Sequence, residues 1–309
     1  MKIHSSLEKT NKPLTLTMGS FDGVHQGHQF VIEQLKMKAE EISGQTGVII
    51  FEPHPRIILG KVQNPFLIQS LEEKKAALEN AGVHHLYIIP FDKEVANFTA
   101  SQFLDSILTK IKPKVFLMGY DHLFGKNREG DFHLTQKLCA LHNIECQQLK
   151  ASCNENPVSS TKIRASLSGG DVKKAALLMG RPYSIAGIIT KGKQLGQTIG
   201  FPTANIEIRD HFKILPKIGS YAVWVEINAK KFKGMLNIGS NPTVGGAQQT
   251  IEVNIFDFNQ DIYGENIYVY FMDKIRNEVK FPTIEVLKAQ LHEDKKIALN
   301  LLANSCFIF

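Results

Sequence analysis

Leu14-Thr15-Leu16-Thr17-Met18-Gly19-Ser20-Phe21-Asp22-Gly23-Val24-His25-Gln26-Gly27-His28 is the stretch whose reading decides the first half of the fold. Leu14, Leu16 and Met18 alternate with threonines as in a strand, and beyond the turn Val31, Leu35, Ala39 and Ile42 fall on one stripe of a helix. Gly19, Gly23 and Gly27 lie between the two. Glycine lets the backbone take φ > 0 and come close to a phosphate, and a helix start offers free N–H groups and the positive end of its dipole. Spaced i, i+3, His25 and His28 can both face one side of that helix start and point at a phosphoryl group, with neither needed as a nucleophile. The same pair also suits plain capping or surface decoration, and the rest of the chain must decide.

Apolar patterns alternate downstream. Residues 47–51 read as a buried strand, Ser70 with Glu73 forms a capping box opening a helix to Asn80, and 86–89 read as the next strand. Thr99 and Gln102 cap a helix to Lys110; 115–118 is a strand, 134–141 a helix and 144–149 a short strand. Such alternation predicts a doubly wound parallel sheet with right-handed crossovers and ligands beyond the carboxyl ends of its strands. The glycine-histidine turn lies at such an end, and so does Gly119-Tyr120-Asp121-His122-Leu123-Phe124-Gly125. A third junction, Val158-Ser159-Ser160-Thr161-Lys162-Ile163-Arg164, brings three hydroxyls and two cations to a helix start. Hydroxyls, free N–H groups and a bidentate Arg164 hold polyphosphate well, although alone this is also an ordinary Ser/Thr N-cap.

At 309 residues and 43% hydrophobic, the chain can bury two domain cores. A net charge of +6 suits acidic partners. Lys and Arg are scattered, however, and Lys74-Lys75, Lys173-Lys174 and Lys295-Lys296 look like solvated helix faces, which disfavours a nucleic-acid partner and leaves small phosphorylated substrates. The four cysteines, Cys139, Cys146, Cys153 and Cys306, have no metal spacing and make no disulfide framework, so reduced thiols in a cytoplasmic protein are expected. No apolar run suggests a signal peptide, a membrane span or a membrane partner.

Residues 171–179 make a short amphipathic helix ended by Gly180, and the style then changes. Residues 184–191, 204–208, 221–227, 232–238, 251–258 and 267–271 read as short strands separated by Gly, Asn and Pro turns. Six such strands suggest a small closed barrel, with Thr283 or its neighbour capping one last helix against it. The expected fold is therefore α/β followed by all-β, with domains at 1–180 and 181–309. Gly187, Gly192, Gly196 and Gly200 lead into Phe201-Pro202-Thr203-Ala204-Asn205. Recurring glycines serve hairpin turns and bulges as readily as phosphates. Thr203 and Asn205 share one face of a strand, and their two neutral oxygens could hold a hard divalent cation that keeps most of its waters. Glu252 shares its register with Asn254, opposite Ile251, Val253 and Ile255, and faces either a ligand or solvent. Neither a Walker loop nor a Rossmann fingerprint is present.

Taken in order, Gly19-x-Phe21-Asp22-Gly23-Val24-His25-x-Gly27-His28, Phe51-Glu52-Pro53-His54-Pro55, Gly119-x-Asp121 to Gly125 and Ser159-Ser160-Thr161-x-Ile163-Arg164 resemble the bacterial bifunctional riboflavin kinase/FMN adenylyltransferase family, the prokaryotic FAD synthetases. Gly180-Arg181-Pro182-Tyr183, the glycine ladder, Gly200 to Asn205, Asn237-Ile238-Gly239 and Glu252 with Asp257-Phe258 resemble that family's kinase module. For the first domain the resemblance implies attack of the FMN phosphate on the α-phosphorus of ATP, with release of pyrophosphate. His25 and His28 would serve the α-phosphate, and Ser159, Ser160, Thr161 and Arg164 the β and γ phosphates. Gly19, Phe21, Asp22, Gly27 and Asp121 would help bind ATP, and Pro53 and His54 the flavin. For the barrel it implies phosphorylation of the riboflavin 5′-hydroxyl, mostly by positioning and electrostatics. Gly187, Gly192, Lys193 and Gly196 would surround ATP, magnesium would sit at Thr203 and Asn205, Asn237 and Phe271 would meet the flavin, and Glu252 would be the general base. Two departures stand out: His122 replaces the usual aromatic after Asp121, and Gln197 replaces an arginine many members carry, leaving Lys191 or Lys193 as the nearby cations. Three readings follow: a two-step enzyme acting on ATP, riboflavin and FMN; an adenylyltransferase whose barrel only binds flavin; and a flavin-sensing or RNA-binding regulator, which the intact His25 to His28 and Ser159 to Arg164 motifs disfavour. A monomer or weak homo-oligomer is expected.

Overall fold

Six strands form the first sheet: β1 (Lys2–His4), β2 (Leu14–Met18), β3 (Gln45–Glu52), β4 (His85–Pro90), β5 (Val115–Met118) and β6 (Glu145–Gln148). They are all parallel and lie in the order β1-β4-β3-β2-β5-β6. The structure is a computed structural model that describes residues 1–62, 65–120, 122–150, 158–192, 196, 199–243 and 246–305. Between the strands run α1 (Gln26–Glu41), α2 (Pro55–Ile58), α3 (Leu71–Asn80), α4 (Ala100–Ile111) and α5 (Phe132–Leu141).

Successive residues of a strand point to opposite faces, so the central strands feed two cores. Leu14, Leu16, Met18 and Ile49 pack with Phe103, Leu104 and Ile107 of α4. Val48, Ile50, Leu86 and Leu117 pack with Ile32 and Leu35 of α1 and Leu78 of α3. Helices on both faces make the sheet doubly wound. Local signals place the helix starts: Ser70 Oγ accepts the Glu73 N–H at 3.3 Å while Glu73 Oε2 accepts the Ser70 N–H at 2.9 Å, and Thr99 with Gln102 repeats this box on α4.

The edge strand β1 has no apolar run, and polar contacts hold it instead. His4 Nδ1 lies 2.6 Å from the Glu8 carboxylate, its Nε2 2.9 Å from Nδ1 of His85, and its ring stacks on Tyr87 at 4.4 Å. His85 Nε2 continues to Gln45 Oε1 at 3.1 Å.

The chain divides into two compact units, Met1–Ser159 and Ser160–Phe309. The second begins with α6 (Ser160–Gly169) and α7 (Val172–Met179), earlier than the change of pattern near Gly180 suggests, because α7 packs on the strands that follow it. Asp171 caps α7, and Gly180, at φ 73°, ends it in the left-handed region. Strands β7 (Tyr183–Thr190), β8 (Ala204–Glu207), β9 (Gly219–Ile227), β10 (Lys230–Thr243), β11 (Gly246–Ile255) and β12 (Asn266–Arg276) then close a barrel in the order β10-β11-β8-β7-β12-β9. β10 and β12 outrun their apolar patterns because backbone pairing continues through polar residues, as where Asp273 pairs with Ala222 across a bulge. The last helix, α8 (Ile284–Ala303), is capped by Thr283 and packs Ala298 and Leu302 against Ala222, Met235 and Met272.

The β1 network has a pH signature. Burial, with His4 close beside it, pulls the His85 pKa from 6.5 down to about 4, while Lys2, Glu8 and His84 act on it more weakly. As pH falls the unfolded chain takes this proton first, so native stability is lost between about pH 6.5 and pH 4. Replacing His85 by Gln is expected to flatten this loss, read as urea midpoints across that range; an unchanged pH slope would contradict it.

Candidate functional site

Strand order reverses between β2 and β5: β3 and β4 lie to one side, β5 and β6 to the other. Crossovers leaving a switch point in opposite directions open a crevice beyond the strand ends, where open α/β sheets bind ligands. The turn after Met18 and the loop after Met118 flank that point.

His25 is the N-cap of α1, and its Nδ1 accepts the His28 N–H at 3.4 Å. The two rings stack with centroids 3.7 Å apart and planes at 15°. Capping and pairing therefore occur together. An Nδ1 that accepts leaves Nε2 to carry the proton of a neutral imidazole, where it can donate to an anion. Phe21, in the left-handed region at φ 46°, lies 4.9 Å from the His28 ring. It also lies against Gly19. A Cβ on Gly27 would meet the His25 ring at 3.2 Å and the Val158 carbonyl at 3.4 Å, so the residue preceding Ser159 lies against the histidine turn. Asp22, expected to help bind ATP, is fully buried, and its carboxylate accepts the N–H groups of Ile68 at 3.0 Å and Gln69 at 3.2 Å. It braces the turn from beneath instead of presenting charge to a phosphate.

Pro53 is exposed after β3, and His54 is buried as the N-cap of α2, accepting the Arg56 N–H at 3.2 Å. Phe66 meets His54 edge-on at 5.3 Å and lies 5.4 Å from the Arg56 guanidinium. His122 stacks on Phe124 at 6.0 Å. Asp121 lies outside the described residues. Ser159 ends the first unit; Ser160 and Thr161 open α6 in the second, with Ile163 buried and Arg164 half-buried.

In the barrel unit a cavity of ≈ 260 Å³ is lined in part by Thr203, Asn237, Glu252, Asn254, Arg276 and Asp294. Glu252 stands in register between Asn237 on β10 and Asn205 on β8, and accepts the Thr203 hydroxyl at 3.4 Å. It therefore faces the cavity. Asn254 Nδ2 donates to the Pro202 carbonyl at 2.7 Å and straps the Thr203 segment onto β11. A Cβ on Gly192 would fall 1.8 Å from Asn205 Nδ2, so any larger residue would push that amide aside. Gly196 lines the cavity, whereas Gly187 sits within β7 opposite Ile267, in a strand-packing place. Phe271, expected against the flavin, is fully buried between Tyr183 at 5.9 Å and Tyr221 at 5.4 Å and belongs to the barrel's packing. Lys193 and Gln197 lie outside the described residues. The neutral oxygens of Thr203 and Asn205 beside Glu252 fit a hard cation that arrives on phosphate and keeps its waters. No group of three or more His, Cys, Asp or Glu residues that could hold a metal ion occurs among the described residues. Ser220, Glu278, Arg276 and Asp294 also line the cavity and were not anticipated. No local pattern announces them; Arg276 and Asp294, for instance, lie 18 residues apart on different elements.

The first unit brings a glycine-histidine turn to a helix start at the switch point, and the second places Glu252 and Thr203 in a cavity. A helix-start turn and a carboxylate-bearing cavity on separate units suit an enzyme that handles phosphate esters by positioning. Comparison with known proteins narrows the class. Residues 7–162 match the FAD synthetase family model, and residues 179–302 match riboflavin kinase. The bifunctional riboflavin kinase/FMN adenylyltransferase of Haemophilus influenzae is 37% identical over 304 residues, covering 96% of this chain and 98% of that one. The Bacillus subtilis protein of the same name is 36% identical, covering 97% and 96%. A crystal structure from Streptococcus pneumoniae, described as a macrolide-efflux protein, is 32% identical with a TM-score of 0.87 over 97% of this chain and 98% of that chain. This chain shares that fold, and among its own described residues no helix is long and apolar enough to cross a membrane. The chain belongs to the bifunctional riboflavin kinase/FMN adenylyltransferase family.

Asp22→Asn tests the brace. Oδ1 accepts both N–H groups and Oδ2 shares that of Ile68 at 3.2 Å, so the amide can keep Oδ1 in place but loses the charge and sets a donor against the Ile68 N–H; a cost of about 1–3 kcal/mol is expected in denaturant unfolding. Parent-like stability would contradict the bracing role.

Proposed function

We propose that this chain phosphorylates riboflavin with ATP to give FMN and then adenylylates FMN with a second ATP to give FAD. The placement of Glu252 carries the reading, because a carboxylate in the cavity, in register with Asn205 and hydrogen-bonded to Thr203, is what a catalytic barrel needs and a merely binding barrel does not. In the domain at 181–309, Glu252 takes the proton of the riboflavin 5′-hydroxyl as that oxygen attacks the γ-phosphorus, and ADP leaves. Gly187, Gly192, Lys193 and Gly196 surround the triphosphate, and Asn237 and Phe271 meet the flavin. Thr203 and Asn205 would hold magnesium, which would supply positive charge to the triphosphate.

In the domain at 1–180 the FMN phosphate is already anionic and needs no activation. Its oxygen bonds to the α-phosphorus of ATP, and the bond to the pyrophosphate breaks. His25 and His28 stabilise charge growing at the α-phosphate; Ser159, Ser160, Thr161 and Arg164 donate to the β and γ phosphates. Gly19, Phe21, Gly27 and Asp121 shape the ATP site, and Pro53 and His54 flank the flavin. A functional boundary near 180 is supported by the family models, which end at 162 and resume at 179. Small-molecule chemistry without nucleic acid, in the cytoplasm, as a monomer or weak homo-oligomer, completes the reading.

Two variants cross-check it by chromatography of flavin products. His28→Ala is expected to lower FAD formation from FMN by about 10² to 10³ while riboflavin phosphorylation persists. Glu252→Gln keeps size and hydrogen bonding but loses basicity, so it should lower FMN formation by about 10² to 10⁴ while still converting supplied FMN to FAD. An unimpaired kinase rate in Glu252→Gln would rule out its role as base.

A further inference from the structure

Arg276 ends β12, and Asp294 lies midway along α8 with only 1% of its surface exposed. The Asp294 carboxylate is gripped by Arg276 Nε at 2.9 Å and Nη2 at 2.8 Å, and accepts Gln290 Nε2 at 2.8 Å. A bidentate guanidinium with a buried carboxylate partner is held in one geometry. The same guanidinium donates from Nη1 to the Asn277 carbonyl at 3.2 Å and lies 5.3 Å from the Phe281 ring. One side chain therefore fastens β12, the segment 277–281 and α8 to one another. All three supply walls of the cavity, through Arg276, Glu278, Phe281, Leu291 and Asp294.

Little else ties down this end of α8. Ile284 and Val286 are 54% and 45% exposed, Leu291 packs on the barrel only partly buried, His292 meets Phe201 edge-on at 4.9 Å, and the fully buried apolar residues of the helix, Ala298 and Leu302, come after Asp294. For stability alone the choice is a poor one, since two apolar side chains of similar volume usually serve as well as a buried ion pair or better. A guanidinium already fixed by a carboxylate, however, loses little further freedom on meeting a flat ring edged with carbonyl acceptors.

We propose that Asp294 is a positioning residue for riboflavin: it fixes Arg276 and the 277–281 segment as a rigid wall for the flavin ring of the kinase site. This rests on the kinase reading of the barrel. Asp294 acts through Arg276 and takes no part in proton removal by Glu252, so its loss weakens flavin binding more than turnover.

The test uses the full-length chain as parent, as Asp294→Asn, and as the apolar double variant Arg276→Met with Asp294→Leu. Riboflavin and ATP kinetics, riboflavin binding by fluorescence quenching without ATP, and melting temperature are measured for each. Asp294→Asn is expected to raise the riboflavin KM and Kd at least about tenfold with kcat changed less than about threefold, and with the ATP KM and FMN adenylylation unchanged. The double variant should recover the parent's melting temperature and keep the raised riboflavin KM and Kd. It also serves if Asp294→Asn fails to fold. Recovery of both melting temperature and riboflavin affinity in the double variant would show a purely structural pair and overturn the proposal, as would parent-like riboflavin affinity in Asp294→Asn. If the parent binds riboflavin but does not phosphorylate it, the kinase reading fails while the fluorescence titrations still decide the role of Asp294; if the parent does not bind riboflavin, both fail.

Discussion

A parallel sheet whose strand order reverses between β2 and β5 has one place where crossover helices cannot cover the strand ends, and the first unit is arranged around that gap. The chain leaving Met18 must turn within a few residues into the start of α1. Phe21 in the left-handed region, the buried carboxylate of Asp22 beneath and the His25 cap above each fix part of that turn. With the turn fixed, the two imidazoles stack at the start of α1, 3.7 Å apart. Alignment is what remains to be supplied when an anionic phosphate attacks another phosphate.

The second unit meets a different constraint. A closed barrel leaves no strand edges, and large side chains fill its middle: Tyr183, Tyr221 and Phe271 are fully buried, with the two tyrosine hydroxyls donating to the carbonyls of Ile214 and Lys217. The space left lies against the wall, in the cavity that α8 helps to line. Glu252, Thr203 and Asn254 then come together through cross-strand register, and Gly192 is small because the Asn205 amide occupies its space.

What the sequence made legible was local. The boxes at Ser70 and Thr99, the ends of β2 and β5 and the alternation around Glu252 all follow from spacings of a few residues, and the structure follows them. What escaped depends on partners far along the chain. Asp22 sits within a phosphate-loop motif, yet its carboxylate is taken by backbone N–H groups 46 and 47 residues away. Strand β1 is secured by His4 and His85, 81 residues apart, and shows no apolar pattern. Alternation along β12 puts Phe271 in the packed interior with Ile267 and Val269, a place set by partners on other strands. Arg276 and Asp294 gave no signal because a lone charge near a strand end and another within an amphipathic helix look like solvated residues until the fold buries them together.

The central claim is that one chain performs two chemically distinct phosphorus transfers, and isotope position tests it most directly. Riboflavin is incubated with the protein and magnesium, in parallel with ATP labelled at the γ-phosphorus and ATP labelled at the α-phosphorus, and the flavins are separated and counted. The γ label should appear in FMN and persist in FAD, while the α label should appear in FAD alone. A γ label missing from FMN, or an α label missing from every flavin, would contradict the two-site assignment.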